Sequence, residues 1–159
     1  MSRLYGHSQN LGKTMPLIRE IRPEYWEVIG RSEDLQWYDE CVRMGIKLLF
    51  RQPRGDMDFN PDYIKRRSWH LSPEVAAQEF VGDCAGKPWF QYAWAVLTPP
   101  GLVDDSIQGV VGESWVSGVA GHDRGWATHF LSSCVWELQA RGKECIVGNW
   151  PHGNSGWEV

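Results

Sequence analysis

The chain lacks close cysteine pairs, a large excess of positive charge and any long apolar run. Its four cysteines are separated by 43, 50 and 11 residues, which fits no zinc-ligand pattern of closely spaced pairs. A net charge of −4 argues against a partner held by phosphate neutralisation. No segment approaches the ~20 apolar residues of a membrane-spanning helix. We therefore expect no metal, no cofactor, no nucleic acid and no membrane partner.

The first residues also lack the apolar core of a secretory signal peptide, which predicts a cytoplasmic protein as synthesised, with export only by another route. Without such a signal, disulfides are not expected. One bridge, between Cys134 and Cys145, is left open because the two residues would face each other across a hairpin.

What the chain has in abundance is aromatic residues, with ten Trp, five Tyr and five Phe among 159 residues. Packing in the core and in grooves is the ordinary use of such rings, and the lining of a ligand cleft is the alternative. The length predicts one domain. We divide the chain into an N-terminal arm or loop at residues 1–21, available to dock on a protein partner, and a single domain at residues 22–159.

Helix signals dominate the first two thirds of the chain. Pro23 fits the first turn of one helix, Ser32 caps a second that runs to about Phe50, and Ser72 caps a third that begins at Pro73. The apolar run at 89–97 predicts a buried helix, which ends at Pro99. A long connection at residues 51–71 separates the second helix from the third.

The last third of the chain reads as short strands. Extended segments are predicted at 106–112, 113–119, 129–136 and 144–149, with turns at 121–125 and 140–143. Helices first and strands second indicate an α+β fold, in which N-terminal helices pack on a C-terminal antiparallel sheet.

Three residues in the order Cys, His, Asn suggest nucleophilic catalysis by a thiol. Cys84 follows the capped helix in a Gly-Asp-Cys corner, His129 lies on the first strand of the predicted hairpin, and Asn149 lies on the second. A thiol nucleophile needs a base, and the base is usually oriented by a third group. Neighbouring strands are ~4.8 Å apart, so an Asn149 carbonyl would reach the imidazole of His129.

At these residues the chain resembles the transglutaminase-like superfamily of papain-fold cysteine enzymes. The resemblance covers about residues 72–151, and its best part is Ser72-Pro73-Glu74 followed by Gly82-Asp83-Cys84. It implies a papain-like single domain in which Cys84 attacks an amide carbonyl, His129 carries the proton and Asn149 orients His129. Peptidases, amidases and acyl-transferring enzymes all occur in that superfamily.

Four further residues are candidates for the same cleft. Gln78 stands six residues before Cys84, the offset at which papain-type enzymes place an oxyanion-hole Gln. His122 is an alternative base, and Trp69 and Trp150 are candidate cleft-lining rings.

We therefore predict a cysteine-nucleophile hydrolase that cleaves a peptide or peptidoglycan-like amide bond through a thioester on Cys84. The alternative is a non-catalytic assembly protein with an aromatic docking surface. A lesser alternative is an acetyl-coenzyme-A-dependent acyltransferase, because the run at 119–127 resembles a loop that grips a pyrophosphate.

Overall fold

The computed structural model describes residues 5–52, 71–98 and 128–147. Strands and helices alternate along these described ranges. The strands are β1 (Tyr5–Ser8), β2 (Tyr25–Ile29), β3 (Lys47–Arg51), β4 (Ala93–Leu97) and β5 (Glu144–Ile146). The helices are α1 (Leu11–Ile21), α2 (Leu35–Arg43), α3 (Pro73–Ala85) and α4 (residues 128–139), with 3₁₀ turns at Ser32–Asp34 and Pro88–Tyr92.

The described strands form one parallel sheet in the order β1-β2-β3-β4-β5. The expectation of helices followed by an antiparallel sheet is therefore wrong. Each parallel neighbour requires a crossover connection, and α1, α2 and α3 supply the crossovers between the first four strands. The papain-like and transglutaminase-like assignment loses the antiparallel sheet on which it depended, and stays a prediction.

Residues 5–21 form β1 and α1, so the predicted N-terminal arm is wrong for this stretch. The side chain of Asn10 caps α1 by accepting from the Lys13 backbone N–H at 3.1 Å. Leu11, Met15 and Ile18 recur at helical spacing and are buried. Helix α1 ends where Arg22 takes a left-handed conformation and donates its N–H to the Ile18 carbonyl.

Two of the expected helices contain strands. The segment after Pro23 is β2, with alternating burial in which Trp26 and Val28 point inward. The long helix expected to reach Phe50 stops at Arg43, because Gly45 turns the chain at φ 81° and β3 follows.

Helix α3 begins as predicted, with the Ser72 side chain accepting from the Val75 N–H at 3.3 Å and Pro73 in the first turn. The run at 89–97 is a 3₁₀ turn followed by β4, and not a helix. Residues 129–136 were expected to be a strand and instead lie in α4. The strand expected at 144–149 is confirmed at Glu144–Ile146. The expected strands at 106–112 and 113–119 and the turn at 121–125 lie outside the described residues.

The core lies on one side of the sheet. Buried residues of all four described helices pack there against Trp26, Val28, Leu48, Phe50 and Val96 of the strands. Strands that follow one another in one direction, joined by right-handed crossovers, place every crossover helix on the same face. We call this side the helix face. A second apolar cluster, of Leu49, Ala95 and Leu97 with Tyr25 and Ile146 packed against it, consists of strand residues only and lies on the opposite side, the far face.

Candidate functional site

The far face carries polar groups near the middle of β1 and β2. On β2, Trp26 and Val28 lie in the helix-face core, so alternation directs Glu27 to the far face. On β1, the Trp26 indole covers Gly6 and donates to Ser8 Oγ at 3.1 Å, which leaves His7 on the far side. His7 pairs in register with Glu27 across the two strands. The pair therefore stands side by side on one face, at the ~4.8 Å spacing of neighbouring strands.

A basic residue lies one row closer to the carboxyl edge of the sheet. Arg51 is the last residue of β3 and pairs in register with Ile29, while Leu49 pairs with Glu27. Phe50 lies in the helix-face core, so Arg51 points to the far face. A histidine, a carboxylate and a guanidinium thus occupy the same side of three adjacent strands. His7 is exposed, and Glu27 and Arg51 are half-buried.

Hydrogen bonds fix the carboxyl edge itself. The Tyr38 hydroxyl donates to the Ile29 carbonyl at 3.0 Å and accepts from the Arg31 N–H at 2.9 Å, which ties α2 to the end of β2. Burial raises the pKa of Tyr38 to about 12, so this hydroxyl keeps its proton. At the other side of the sheet, Thr98 donates its N–H to the Ile146 carbonyl at 3.0 Å. These bonds hold the ends of β2, β4 and β5 in place.

The amino edge holds a different cluster, whose charged groups bind rings and carbonyls of the strand ends. The Lys47 ammonium lies 5.1 Å from the ring centroids of both Tyr25 and Trp94, and 3.9 Å from a carboxylate oxygen of Glu24. Lys143 donates to the carbonyls of Gln91 and Ala93 at the start of β4. Charges held by rings and carbonyls in this way stabilise the ends of strands. Ligand sites of parallel sheets lie at the opposite, carboxyl edge.

Cys84 lies within α3 and is fully buried in the helix-face core. Its place near the C-terminal end of the helix differs from the expected corner between helix and loop, because α3 continues to Ala85 before Pro88 begins the next turn. The free backbone N–H groups of α3 lie at its other end, near Pro73, so they do not face this thiol. All four cysteines are free of disulfides, including Cys134 and Cys145.

His129 is exposed near the start of α4. The Glu74 carboxylate accepts hydrogen bonds from the backbone N–H of Glu74 and from the Ser72 side chain, and these bonds lower the pKa of Glu74. The charge of His129 lowers the same pKa by a smaller amount.

The ring of Phe130, the residue after His129, lies 6.2 Å from the ring of Phe80 in α3 (centroid to centroid), so the start of α4 packs beside α3. Cys84 is fully buried, whereas His129 is exposed. The pairing of the two residues stays a prediction.

The other predicted site residues divide into two groups. Gln78 is exposed on α3. Asn149, His122, Trp69 and Trp150 lie outside the described residues, as does the 119–127 run.

Among the residues that the structure describes, no group of three or more His, Cys, Asp or Glu side chains is arranged to hold a metal ion. None of the helices described is long and apolar enough to cross a membrane.

Sequence reasoning missed His7, Glu27 and Arg51. A signal was present in Asn10, a good N-cap directly after a short extended run, which marks a strand-to-helix boundary in the stretch interpreted as an arm. Recognising that boundary would have indicated a β/α unit, and polar residues near the carboxyl end of its strand are then candidates for a site.

The described fold and site define a mixed β/α protein whose described strands are parallel neighbours, with the described helices on one face and polar groups on the other face near the carboxyl edge. Comparison with known proteins adds no relative, since no family model, no curated protein and no solved structure matches the chain.

Proposed function

We propose that the chain is a hydrolase for an amide bond of a peptide or peptidoglycan-like substrate, with its site on the far face of the sheet toward the carboxyl edge. Successive parallel strands with every described helix on one side are typical of a wall of a (β/α) barrel, whose inner face is the far face here. In such folds the active site lies at the carboxyl ends of the strands.

The observation that carries the proposal is the register of His7 with Glu27 on one face. Glu27 would act as general base, taking a proton from a water whose oxygen attacks the amide carbonyl carbon. His7 would then give a proton to the leaving nitrogen as the carbon–nitrogen bond breaks. Arg51, one row toward the carboxyl edge, would stabilise the negative charge that develops on the carbonyl oxygen.

The thioester route through Cys84 is a separate prediction within the same reaction class. Its thiol is buried while the His129 side chain is exposed, and for this reason the present proposal takes water as the nucleophile. Turnover by the Cys84→Ala variant tests the thioester route, because that route needs the thiol.

Assays of the purified chain on p-nitroanilides of free and N-acetylated amino acids test the proposal. His7→Gln and Glu27→Gln should each lower kcat by roughly 10²–10⁴, because each removes a general acid or base. Glu20→Gln is the matched control, since Glu20 is an exposed carboxylate on α1.

Turnover that survives both changes at the wild-type rate would remove the two residues from the mechanism. Absence of turnover by the wild-type chain on every such substrate would remove the reaction class, leaving the non-catalytic assembly protein as the alternative.

A further inference from the structure

The indole of Trp26 contacts the two residues that flank His7 in β1. Gly6 pairs in register with Trp26, and a Cβ on Gly6 would overlap carbon atoms of the six-membered ring of the indole. The indole N–H donates to Ser8 Oγ at 3.1 Å. One side chain therefore holds β1 on both sides of His7, from the helix face of the sheet.

The reach of this indole depends on the residue types of β1. Ser8 lies opposite Val28 in register, so the indole crosses diagonally from its own row to the next row on the same face. Glycine at position 6 leaves room for the ring to approach the strand so closely. The hydroxyl at position 8 then supplies the acceptor that a buried indole N–H requires. Gly6 and Ser8 thus fit the indole together, and His7 is the residue between them.

Trp26 itself has little freedom to move. It is 4% exposed and belongs to the core between the sheet and the helices. Glu27, the next residue of β2, points to the far face and pairs in register with His7. The backbone that carries the Glu27 carboxylate and the backbone that carries the His7 imidazole are therefore tied together by one buried ring system on the reverse side of the sheet.

We propose that Trp26 and Ser8 are positioning residues, whose hydrogen bond holds His7 in the place that proton transfer to the leaving nitrogen requires. The inference rests on the proposed function and adds to it two residues that do not touch the substrate. A general acid must lie within hydrogen-bond reach of the atom that it protonates, and a misplacement of about 1 Å can cost roughly 10²-fold in rate. The His7 side chain is exposed, so its place depends on the strand that carries it.

The test is Ser8→Ala, which removes the acceptor of the indole N–H and leaves Gly6 and the ring of Trp26 unchanged. On L-alanine p-nitroanilide, kcat should fall roughly 10–100-fold while KM changes by less than about twofold, because the substituted residue does not bind the substrate. Ser8→Thr keeps an acceptor oxygen and should restore kcat to within about threefold of wild type.

The matched control is Ser72→Ala, which also removes a serine oxygen that accepts from an N–H, at 3.3 Å, but at the start of α3. Each Ser→Ala variant should lower Tm by about 2–6 °C, because each loses one hydrogen bond. Only Ser8→Ala should lower kcat. Wild-type kcat in Ser8→Ala would overturn the inference, whatever its Tm, and would leave the proposed function intact.

Hydrogen exchange of the backbone amides gives a readout that needs no substrate. Exchange in β1 should become roughly 5–30-fold faster in Ser8→Ala, and it should stay unchanged in Ser72→Ala. Unchanged exchange in β1 of Ser8→Ala would show that the indole does not hold the strand, and would overturn the inference. Absence of turnover by the wild-type chain would overturn the proposed function, and faster exchange would then show that the bond holds β1 without serving this reaction.

Discussion

Side chains of this protein fall into two kinds: those that stabilise the sheet, and those to which the proposed reaction assigns a chemical role. Lys47 illustrates the first kind, since its ammonium contacts two aromatic rings and a carboxylate at the amino edge. Cys84 also belongs to the first kind, because its thiol is buried in the core between helices and sheet. His7, Glu27 and Arg51 belong to the second kind, as they share the far face near the carboxyl edge.

Replacing Lys47 by Met should lower the free energy of unfolding by about 1 kcal/mol, because the cation–π contacts and the exposed ion pair are lost while the aliphatic stem is kept. Urea unfolding measures the difference. Lys13→Met is the control, since Lys13 is exposed on α1, and it should change little. Equal effects of the two substitutions would contradict a stabilising role for Lys47.

At the scale of elements, two glycines differ in the space around their Cα atoms: one lies in close packing and the other on an open helix surface. A Cβ on Gly30, just after β2, would overlap the Trp89 indole, which stacks on Phe50 with ring centroids 4.6 Å apart. A Cβ on Gly82 in α3 would meet nothing within 4 Å. The same substitution at the two sites should therefore have opposite signs.

Gly30→Ala should destabilise the protein by about 1–3 kcal/mol through overpacking. Gly82→Ala should stabilise it by about 0.5–1 kcal/mol, because alanine has the higher helix propensity. Chemical denaturation of both variants gives the two values. A stabilising Gly30→Ala would show that Trp89 does not pack against β2 as described.

The sequence predicts element starts better than element types. Ser72 and Pro73 correctly predict the start of α3, because helix capping depends on residues close together in the sequence. The helix predicted after Pro23 is a strand, β2, because five residues are too few to separate a strand from a helix by periodicity. Phe130, Cys134 and Leu138 are spaced four residues apart and are buried, which is the pattern of a helix. The prediction of a hairpin at these residues did not take this spacing into account.

The site was less predictable than the elements, because its residues meet only through tertiary pairing. His7 and Glu27 are 20 residues apart, and they become neighbours when α1 carries the chain across to a parallel strand. His129 and Asn149 were expected to meet across an antiparallel hairpin, but residues 129–136 lie in α4. Local signals fix neither strand direction nor register.

For the whole molecule, the order of the strands decides where chemistry is possible. In the part of the chain that the structure describes, five parallel strands have the helices on one side, which gives a helix face devoted to packing and a far face that bears polar groups. The central claim is that hydrolysis takes place at the far face and not at the Cys84 thiol.

One comparison tests that claim most directly: kcat/KM for L-alanine p-nitroanilide, measured for Glu27→Gln and Cys84→Ala against the wild-type chain, with Tm recorded for each. We predict that Glu27→Gln loses roughly 10²-fold or more, as expected for removal of a general base, while folded Cys84→Ala keeps turnover close to wild type. Loss of turnover in folded Cys84→Ala, with Glu27→Gln unaffected, would contradict the account.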